Sequence, residues 1–326
     1  MHTGKSYKVL EFVGWTRRTI YVLIVLSVIP VLLHQGLGLT WLTVPFSVVF
    51  LLGSTVALVA SFKNLQTFNR TQEAQQIWMS ITSGSRMWGV LCRDFVPDAE
   101  RARELVRRHL AWLAALRHQM REVMPWETAN RRSNAEYMRK HSVQEREHSL
   151  ESELSRYLSW EEAAQVLTSR NKALQVLALQ SRQVEALLAQ GGVAPGAFAD
   201  LQGRIRDFHD QQGRSERIKY FPFPRQHAFI NSVFVWILCV LLPFGMIGEF
   251  ASRGNLVWLS VPLSLLISWM YTSLDLVGES TANPFEGGAN DVPITQMSQD
   301  IEADLLEIFG ESSKPPARRV GNDIAL

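Results

Sequence analysis

The sequence predicts an all-α membrane protein in which four transmembrane helices are joined to a large helical cytosolic region. Residues 41–62 carry no charge, and about 20 apolar residues at ~1.5 Å each suffice to cross a ~30 Å hydrocarbon core. Two further apolar runs, residues 228–250 and 256–277, follow closely on each other. Residues 63–227 instead have helical periodicity and no apolar run of spanning length.

Residues 20–33 form a shorter apolar run, which reaches spanning length when extended back to Trp15 or on to Leu39. Residues 1–19 contain four Lys and Arg, whereas the connection 34–40 has no formal charge. Because positively charged flanks stay in the cytoplasm, we expect the N-terminal segment 1–19 and the chain after Phe62 to be cytoplasmic. Four crossings, in the pairs 20–62 and 228–277, return the C-terminus to the same side.

The few polar residues of the second span follow one stripe. Ser47, Ser54 and Ser61 recur at every seventh position, and such a repeat drifts by only about 20° per heptad on an α-helix. Leu58 lies on the stripe, and Phe62 follows it one turn later. One narrow face of this helix is therefore predicted to look into a cavity.

A second line on the same helix consists of the small residues Gly53, Ala57 and Ser61, which would let another backbone approach closely. Serine in a membrane helix also commonly bonds to the carbonyl four residues earlier or to a neighbouring helix. The pattern alone is therefore compatible both with a pore and with ordinary helix packing.

The cytosolic domain, residues 63–227, is predicted to be helical. The second helix continues to about Gly84, and amphipathic helices are expected at 99–123 and 200–213. Residues 130–147 are polar and predict a loop with a short exposed helix. His141 and His148 within or beside it are interpreted as exposed residues of a charged helix rather than metal ligands.

Capping residues and charges at the span ends complete the local predictions. Ser159 and Glu162 match a capping box that opens a helix ended by the glycines at 191 and 192. Glu249, Arg253 and Asp275 fall at the ends of spans, where we expect each of them to reach water.

The charges of the two cytosolic parts differ in sign. Residues 63–227 contain 25 Lys and Arg against 19 Asp and Glu, whereas the chain after residue 277 has three against nine. The acidic arm 278–310 could therefore lie on the basic helices of its own subunit or of a neighbour, and 311–326 has the composition of a disordered tail. The net charge of +2 and the absence of a nucleic-acid motif predict no nucleic-acid partner.

Motifs beside two of the spans resemble those of a known family. After the second span come Phe62-Lys63-Asn64, Phe68-Asn69-Arg70, Glu73-Ala74, Trp78 and Ser85-Arg86. After the last span come Glu279, Asn283-Pro284-Phe285-Glu286 and Asn290-Asp291-Val292-Pro293. In this order they resemble the bestrophin family, although Thr71 and Gln72 replace aromatic residues and Gln75 replaces an arginine. The chain is thus similar to a bacterial bestrophin-like channel of the inner membrane.

The resemblance implies a homopentamer in a lipid bilayer, in which the second helix of each subunit lines a central pore for small inorganic ions. The family register places the pore neck at Ser54, Leu58 and Phe62. Ser47, Leu51 and Ser61 would line the pore beside the neck. Two apolar rings and one hydroxyl ring would gate by dewetting and carry no charge with which to select.

The family also implies a second constriction at the cytosolic exit, for which Val193 and Phe198 are candidates. Some family members conduct chloride and others favour monovalent cations, so selectivity would come from the vestibules. The cationic surplus favours chloride and other small anions, with a cation channel as the alternative. A membrane scaffold or regulatory subunit without an open pore is a further alternative.

Structural and ligand roles of the motif residues remain open in the sequence. Arg70 is expected to pair with Glu73 or with a C-terminal acid, or else to face a vestibule. Asn283, Pro284, Phe285 and Asp291 are interpreted as a structural turn. Calcium binds near this motif in animal relatives, but the oxygen ligands here are few, so no cofactor is expected. No nucleophile or dinucleotide motif is present, and the sequence does not predict an enzyme.

Overall fold

The computed structural model describes residues 8–128 and 143–311, with the side chains of residues 252–255 left out. Within these ranges the regular structure is helical. A 3₁₀ helix covers Ala251–Leu259. The α-helices in chain order are α1 (Val9–Gly36), α2 (Phe46–Phe95), α3 (Ala99–Arg121), α4 (Gln144–Glu147), α5 (Leu150–Leu154), α6 (Trp160–Thr168), α7 (Lys172–Ala189), α8 (Pro195–Tyr220), α9 (Arg225–Phe250), α10 (Ser260–Ser280) and α11 (Ile294–Ile308).

Four helices in the described part of the chain are long and apolar enough to cross a membrane, which confirms the four predicted spans. They are Val9–Gly36, Phe46–Phe95, Arg225–Phe250 and Leu256–Ser280. These helices pack on one another around a small core of mostly aliphatic side chains. Its members include Leu23, Val49, Val56, Val235, Leu238 and Leu242.

A second and larger core lies beyond the membrane helices. The later half of α2 packs there against α3, α8 and α11, and its aromatic members Trp78, Trp88, Trp112 and Phe208 are fully buried. His109 joins this core with its Nε2 2.8 Å from Ser85 Oγ. Burial lowers the pKa of His109 to about 3, so the ring is neutral and serves packing.

The second helix is longer than predicted. It continues past Gly84 to Phe95, because the two glycines in this part serve close packing instead of ending the helix. A Cβ on Gly84 would lie 3.0 Å from the ring of Phe208, and one on Gly89 would lie 2.5 Å from Leu305 Cδ2. At ~1.5 Å per residue, the 50 residues of α2 extend for about 75 Å through both cores.

The predicted helix from Ser159 to the glycine pair is in fact two helices. Ser159 Oγ accepts from Glu162 N at 3.3 Å, as the capping box requires, but α6 already ends at Thr168. Asn171 then starts α7, because its Oδ1 accepts from Leu174 N at 3.0 Å. Gly191 follows α7 with φ +72°, in agreement with the predicted end.

Two other predictions on this region need correction. The helix expected at 200–213 extends over Pro195–Tyr220, since Pro195 suits the first helical position. The short helix Gln144–Glu147 is not fully exposed, because Glu145 is buried and its carboxylate lies 2.5 Å from Arg117 Nη1. The remainder of the predicted loop, including His141, lies outside the described residues, as do 1–7 and the tail 312–326.

Candidate ion pathway

The membrane half of α2 carries the residues predicted to line a pore on its exposed face. All six are exposed in the protomer: Ser47, Leu51, Ser54, Leu58, Ser61 and Phe62. Leu58 and Phe62 have exposures of 60% and 59%, whereas Val49 and Val56 on the opposite face have 2% and 1%. The candidate pore residues are therefore not sealed inside one protomer.

The line of small residues on α2 makes a helix contact only at its first member. Tyr271 of α10 donates its hydroxyl to the Gly53 carbonyl at 3.1 Å, and a Cβ on Gly53 would lie 3.6 Å from that hydroxyl. Ser61 is exposed in the protomer, so within one subunit the packing line does not reach it, and its packing on an adjacent helix stays a prediction. The buried face of α2 instead includes Val56 and Ala60.

The serines of the stripe bond to their own helix. Ser54 Oγ donates to the Phe50 carbonyl at 2.9 Å and Ser61 Oγ to the Ala57 carbonyl at 2.8 Å. Each hydroxyl hydrogen is thereby engaged, while the oxygen lone pairs stay open to water. These residues consequently present acceptors, not donors, to whatever lies in front of the helix.

The exposed stripe continues along the later half of α2, residues 63–95, which is predicted to be cytosolic and is called the cytosolic half. The sequence interpretation missed this feature. At 100° per residue, each member of the stripe lies within about 40° of Leu58 when the angle is measured around the helix axis. Its members are exposed: Ser47, Leu51, Ser54, Leu58, Phe62, Leu65, Asn69, Gln72, Gln76, Ser80 and Ser83. None is charged, and beyond Leu65 all are amides or hydroxyls. The i, i+3 and i+4 spacing of these polar residues was the signal that could have revealed them.

Lys63 and Asp275 form a buried ion pair at the end of the spans that adjoins the larger core. Lys63 Nζ lies 2.6 Å from Asp275 Oδ1, and the carboxylate also accepts from Asn231 at 2.6 Å and Ser232 at 2.7 Å. The expectation that Asp275 reaches water is therefore wrong, because donors from α2 and α9 surround it. Glu249 is exposed as expected, and the side chain of Arg253 is not among those that the structure describes.

Arg70 and Glu73 join α2 to the end of α8. The Arg70 guanidinium donates to the carbonyls of Ile218 and Phe221, the latter at 2.6 Å, and thereby caps the C-terminus of α8. Glu73 pairs with Arg217. Arg70 thus has a structural role, but its hydrogen bonds are to backbone carbonyls and not to the predicted acids.

The segment with the Asn-Pro-Phe motif is a hydrogen-bonded turn. Asp291 accepts from the N–H groups of Gly287 and Gly288 at 2.7 and 2.9 Å, and Pro284 accepts from Val292 N at 3.0 Å. Gly287 has φ +90°, which favours glycine. These contacts agree with the interpretation of Asp291 and Pro284 as turn residues.

Other side chains of this motif fix the turn to α3 and its following loop. Phe285 is buried at 1%, and its carbonyl accepts from Arg121 at 3.1 Å. Asn283 donates to the carboxylate of Glu286 at 2.5 Å, not to turn backbone. Glu286 also accepts from the N–H and the hydroxyl of Thr128 at 2.9 and 3.0 Å.

Both acids of the turn, Glu286 and Asp291, already accept hydrogen bonds from N–H and O–H groups of the protein. Burial raises the pKa of Glu286 to about 7, reinforced by the nearby Asp291 carboxylate. Burial also raises the pKa of Asp291, although Arg121 opposes this shift. Within the described residues no group of three or more His, Cys, Asp or Glu side chains is placed to hold a metal ion.

The two candidates for a constriction at the cytosolic exit differ in how deeply they are buried. Val193 is only 4% exposed and belongs to the larger core, so it cannot line an exit, and that prediction is corrected. It was a candidate because the family resemblance implies an apolar constriction, but its side chain packs in the core. Phe198 is half-buried and packs against the same core.

The acidic arm lies on basic residues of its own subunit. Asp304 is 2.7 Å from Arg86, Glu302 is 3.2 Å from Arg156, and Glu311 is 3.3 Å from Arg103. One of the two predicted locations of the arm is therefore confirmed. These pairs also neutralise part of the cationic surplus of residues 63–227.

A bundle of four apolar helices, one of which continues into a second helical domain, defines a multi-pass membrane protein of the all-helical class. The chain belongs to the bestrophin family, because the family described as "Bacterial/Fungal Bestrophin protein" matches residues 13–307. The family resemblance of the sequence motifs is thereby confirmed.

Similar proteins and structures agree with this assignment. The chain is 26% identical over 282 residues to the voltage-dependent anion channel-forming protein YneE of Escherichia coli K12, covering 86% of this chain and 82% of that protein. It is 25% identical over 266 residues to the voltage-dependent anion channel-forming protein mll4386 of Mesorhizobium japonicum, covering 82% and 75%. The fold matches a bacterial bestrophin homologue from Klebsiella pneumoniae with a TM-score of 0.76 at 22% identity, covering 91% and 99%.

Proposed function

We propose that this chain is the subunit of a passive ion channel that conducts chloride and other small monovalent anions. Five copies would surround a central axis in a bacterial inner membrane, with both termini in the cytoplasm. The observation that carries the proposal is the uncharged exposed stripe of α2 from Ser47 to Ser83. The names of the relatives, which describe anion channel-forming proteins, support the choice of ion.

Exposed apolar residues in the cytosolic half of α2 support assembly around this helix. Phe68 and Met79 are 57% and 58% exposed in the protomer and lie about 60–80° from Leu58 around the helix, although this part of α2 follows the membrane span. Large apolar side chains grouped on a surface in water mark contact sites. Packing of α2 helices from neighbouring copies would cover the residues beside the stripe and leave the stripe facing the axis.

The neck would lie at Leu58 and Phe62, where five copies of each side chain form apolar rings. Such rings hinder water and ions by dewetting, so the neck would act as a barrier without charge selectivity. Ser54 would form a wider and wetter ring towards the outer side. The amides of Gln72 and Gln76 would line the pathway below the neck.

A monovalent-cation channel is the second candidate, and the serine geometry favours it. Ser54 and Ser61 give their hydrogens to their own helix and so present oxygen lone pairs, which interact favourably with cations. The pairing of Asp304 and Glu302 with arginines also reduces the positive field of the cytosolic domain. Anion selectivity therefore rests mainly on the relatives.

The test is ion flux through the reconstituted protein, together with its subunit count by native mass spectrometry. In a KCl gradient the reversal potential should approach that of chloride. Leu58→Ala should increase the flux, because it removes an apolar ring. Val48→Ala is the matched control, since Val48 is 53% exposed but about 80° away from Leu58 on the helix.

Two results would contradict the proposal in different ways. A reversal potential near that of potassium would establish the cation channel. Absence of flux in the wild type, in Leu58→Ala and in Phe62→Ala, with a monomeric or dimeric mass, would instead indicate a membrane scaffold without a pore.

A further inference from the structure

A polar cavity of about 320 Å³ lies in the helical domain beyond the membrane spans. Its walls come from the end of α3, from α4 and α5, from the start of α7 and from the last residue of α8. None of its described lining residues belongs to α2 or to another membrane-spanning helix. Small-molecule pockets generally have volumes of ~300–1,000 Å³. The cavity is therefore large enough for a small ligand and is separate from the proposed ion pathway.

The start of α7 gives the cavity two cationic side chains. Arg170 and Lys172, on either side of the N-cap residue Asn171, both line it. Neither side chain has an ion pair or a hydrogen bond to any residue that the structure describes. The first N–H groups of a helix have no partner within it and carry the positive end of its dipole. Because α7 has 18 residues, its N-terminus adds to the positive field of the two side chains.

A buried arginine with an unused donor also lines the cavity. Arg121 is 3% exposed, and its Nη2 has no hydrogen-bond partner in the described part of the chain. Its Nη1 donates to the Phe285 carbonyl at 3.1 Å. The carboxylates of Glu145 and Asp291 lie 3.8 Å from its Nε and 3.9 Å from its Nη1. A buried donor without a partner is costly, so a ligand that supplies an acceptor here would stabilise this side chain.

The acids in and beside the cavity are mostly engaged by the protein. Glu145 has an oxygen 2.5 Å from Arg117 Nη1. Glu216, next to the cavity, accepts from the Asn171 side chain at 2.9 Å. Glu122 is the acid of the described lining without such a partner, and it is exposed, so water and salt screen its charge. The free donors therefore favour an anion over a cation.

We propose that this cavity binds the phosphate group of a small cytoplasmic molecule, either a phosphomonoester or free phosphate. A phosphate fits because it offers at least three acceptor oxygens, one for each of Arg170, Lys172 and Arg121, in charge-assisted hydrogen bonds. Tyr220 would also donate, since its hydroxyl oxygen already accepts from Gln119 Nε2 at 3.0 Å and its hydrogen is left for an acceptor. The inference requires this domain to be cytoplasmic, as in the proposed function, but does not depend on conduction.

The site can be tested by isothermal titration calorimetry of the detergent-solubilised assembly with AMP and with inorganic phosphate. One saturable site per subunit is expected, with an affinity that falls as KCl is added. Arg170→Ala and Lys172→Ala should each weaken binding by about tenfold, the effect of losing one charge-assisted hydrogen bond. The matched control is Arg182→Ala, which removes an exposed arginine of α7 outside the cavity and should leave the affinity unchanged.

A change at Glu122 separates an anion site from a site for a ligand of both signs. Glu122→Gln should strengthen the binding of phosphate by about threefold, because it removes a repelling charge near the surface. Melting temperatures near that of the wild type would show that the variants fold. Tighter binding of AMP than of inorganic phosphate would assign a phosphomonoester, and equal affinities would assign free phosphate.

Three results would overturn the proposal. If the wild type binds neither AMP nor phosphate saturably at low ionic strength, the site does not exist. Affinities unchanged in both Arg170→Ala and Lys172→Ala would place the bound phosphate elsewhere on the protein. Weaker binding in Glu122→Gln would contradict an anion site. Because binding is measured without ion flux, these outcomes are independent of whether the assembly conducts.

Discussion

The two halves of α2 bury different kinds of side chain. In the membrane half the buried face consists of small and aliphatic residues such as Val49, Val56 and Ala60. In the cytosolic half it includes Trp78 and Trp88, both with no exposed surface. The difference follows from the solvent, because lipid is as apolar as the helix surface and gives little drive to bury apolar groups, whereas water drives burial strongly.

The exposed faces differ for the same reason, and this bears on function. An exposed Leu58 or Phe62 in the membrane half is compatible with lipid or with a pore. An exposed Leu65 in the cytosolic half has no such lipid environment and requires cover by another copy or a place at a constriction. Exposed apolar residues in the cytosolic half are therefore stronger evidence for assembly than those in the membrane half, where the neck is proposed.

The largest expected effect comes from truncating the aromatic core of the cytosolic half. Trp88→Ala should lower the apparent free energy of unfolding by about 3–5 kcal/mol, since it leaves a large cavity. Val56→Ala in the membrane half should lower it by only about 1 kcal/mol, because mainly packing contacts are lost there. Unfolding in detergent, followed by circular dichroism, measures both. Equal losses would contradict the contrast between the two halves.

The junction of the two halves should be the next most sensitive position. Asp275→Asn leaves the Lys63 ammonium buried without its counter-charge, and we expect a loss of about 3 kcal/mol. The double variant Lys63→Met with Asp275→Leu should recover most of this stability, since it removes both charges. If Asp275→Asn melts at the wild-type temperature, the pair is not a buried junction.

A smaller and pH-dependent effect is expected at the turn that holds the arm to α3. The folded-state pKa of Glu286 is about 7 against an ordinary 4.5, because the carboxyl is buried near Asp291. The folded state thus binds this proton more tightly, so the stability that Glu286 contributes is greatest below pH ~4.5 and falls as the pH rises to ~7. The fall should be on the order of 2–3 kcal/mol.

Melting temperatures across this pH range test the effect. Glu286→Gln should lose most of the decline between pH 5 and 7, because the amide stays neutral. Glu307→Gln, which changes an exposed acid of α11, should retain the wild-type profile. A wild-type melting temperature that rises over the same range, with no difference from Glu286→Gln, would rule out a titrating Glu286.

Local patterns in the sequence were sufficient for the spans, the family and the exposed stripe around Leu58. Each depends on residues that are close in the chain, where hydrophobic runs and helical spacing carry the information. The ends of helices were predicted less well. Gly84 was read as a helix end because nothing local reveals that Phe208 lies against it.

Contacts between distant residues account for the remaining errors. Lys63 and Asp275 are 212 residues apart in the chain, so each looked like a separate charge at a span end. Val193 was taken for an apolar residue of an exit, but the packing of α7 and α8 buries it. Such pairings depend on the tertiary arrangement, which no single helix pattern contains.

The central claim is that the exposed stripe of α2 faces a shared, water-filled axis. Its most direct test is the change in ion flux when Gln76→Cys is treated with a charged, water-soluble methanethiosulfonate reagent. The native Cys92 and Cys239 are buried and should not react. A large change in flux is expected for Gln76→Cys and none for Gln66→Cys, whose side chain is exposed but about 80° off the stripe. Modification of Gln76→Cys without any change in flux would contradict the claim.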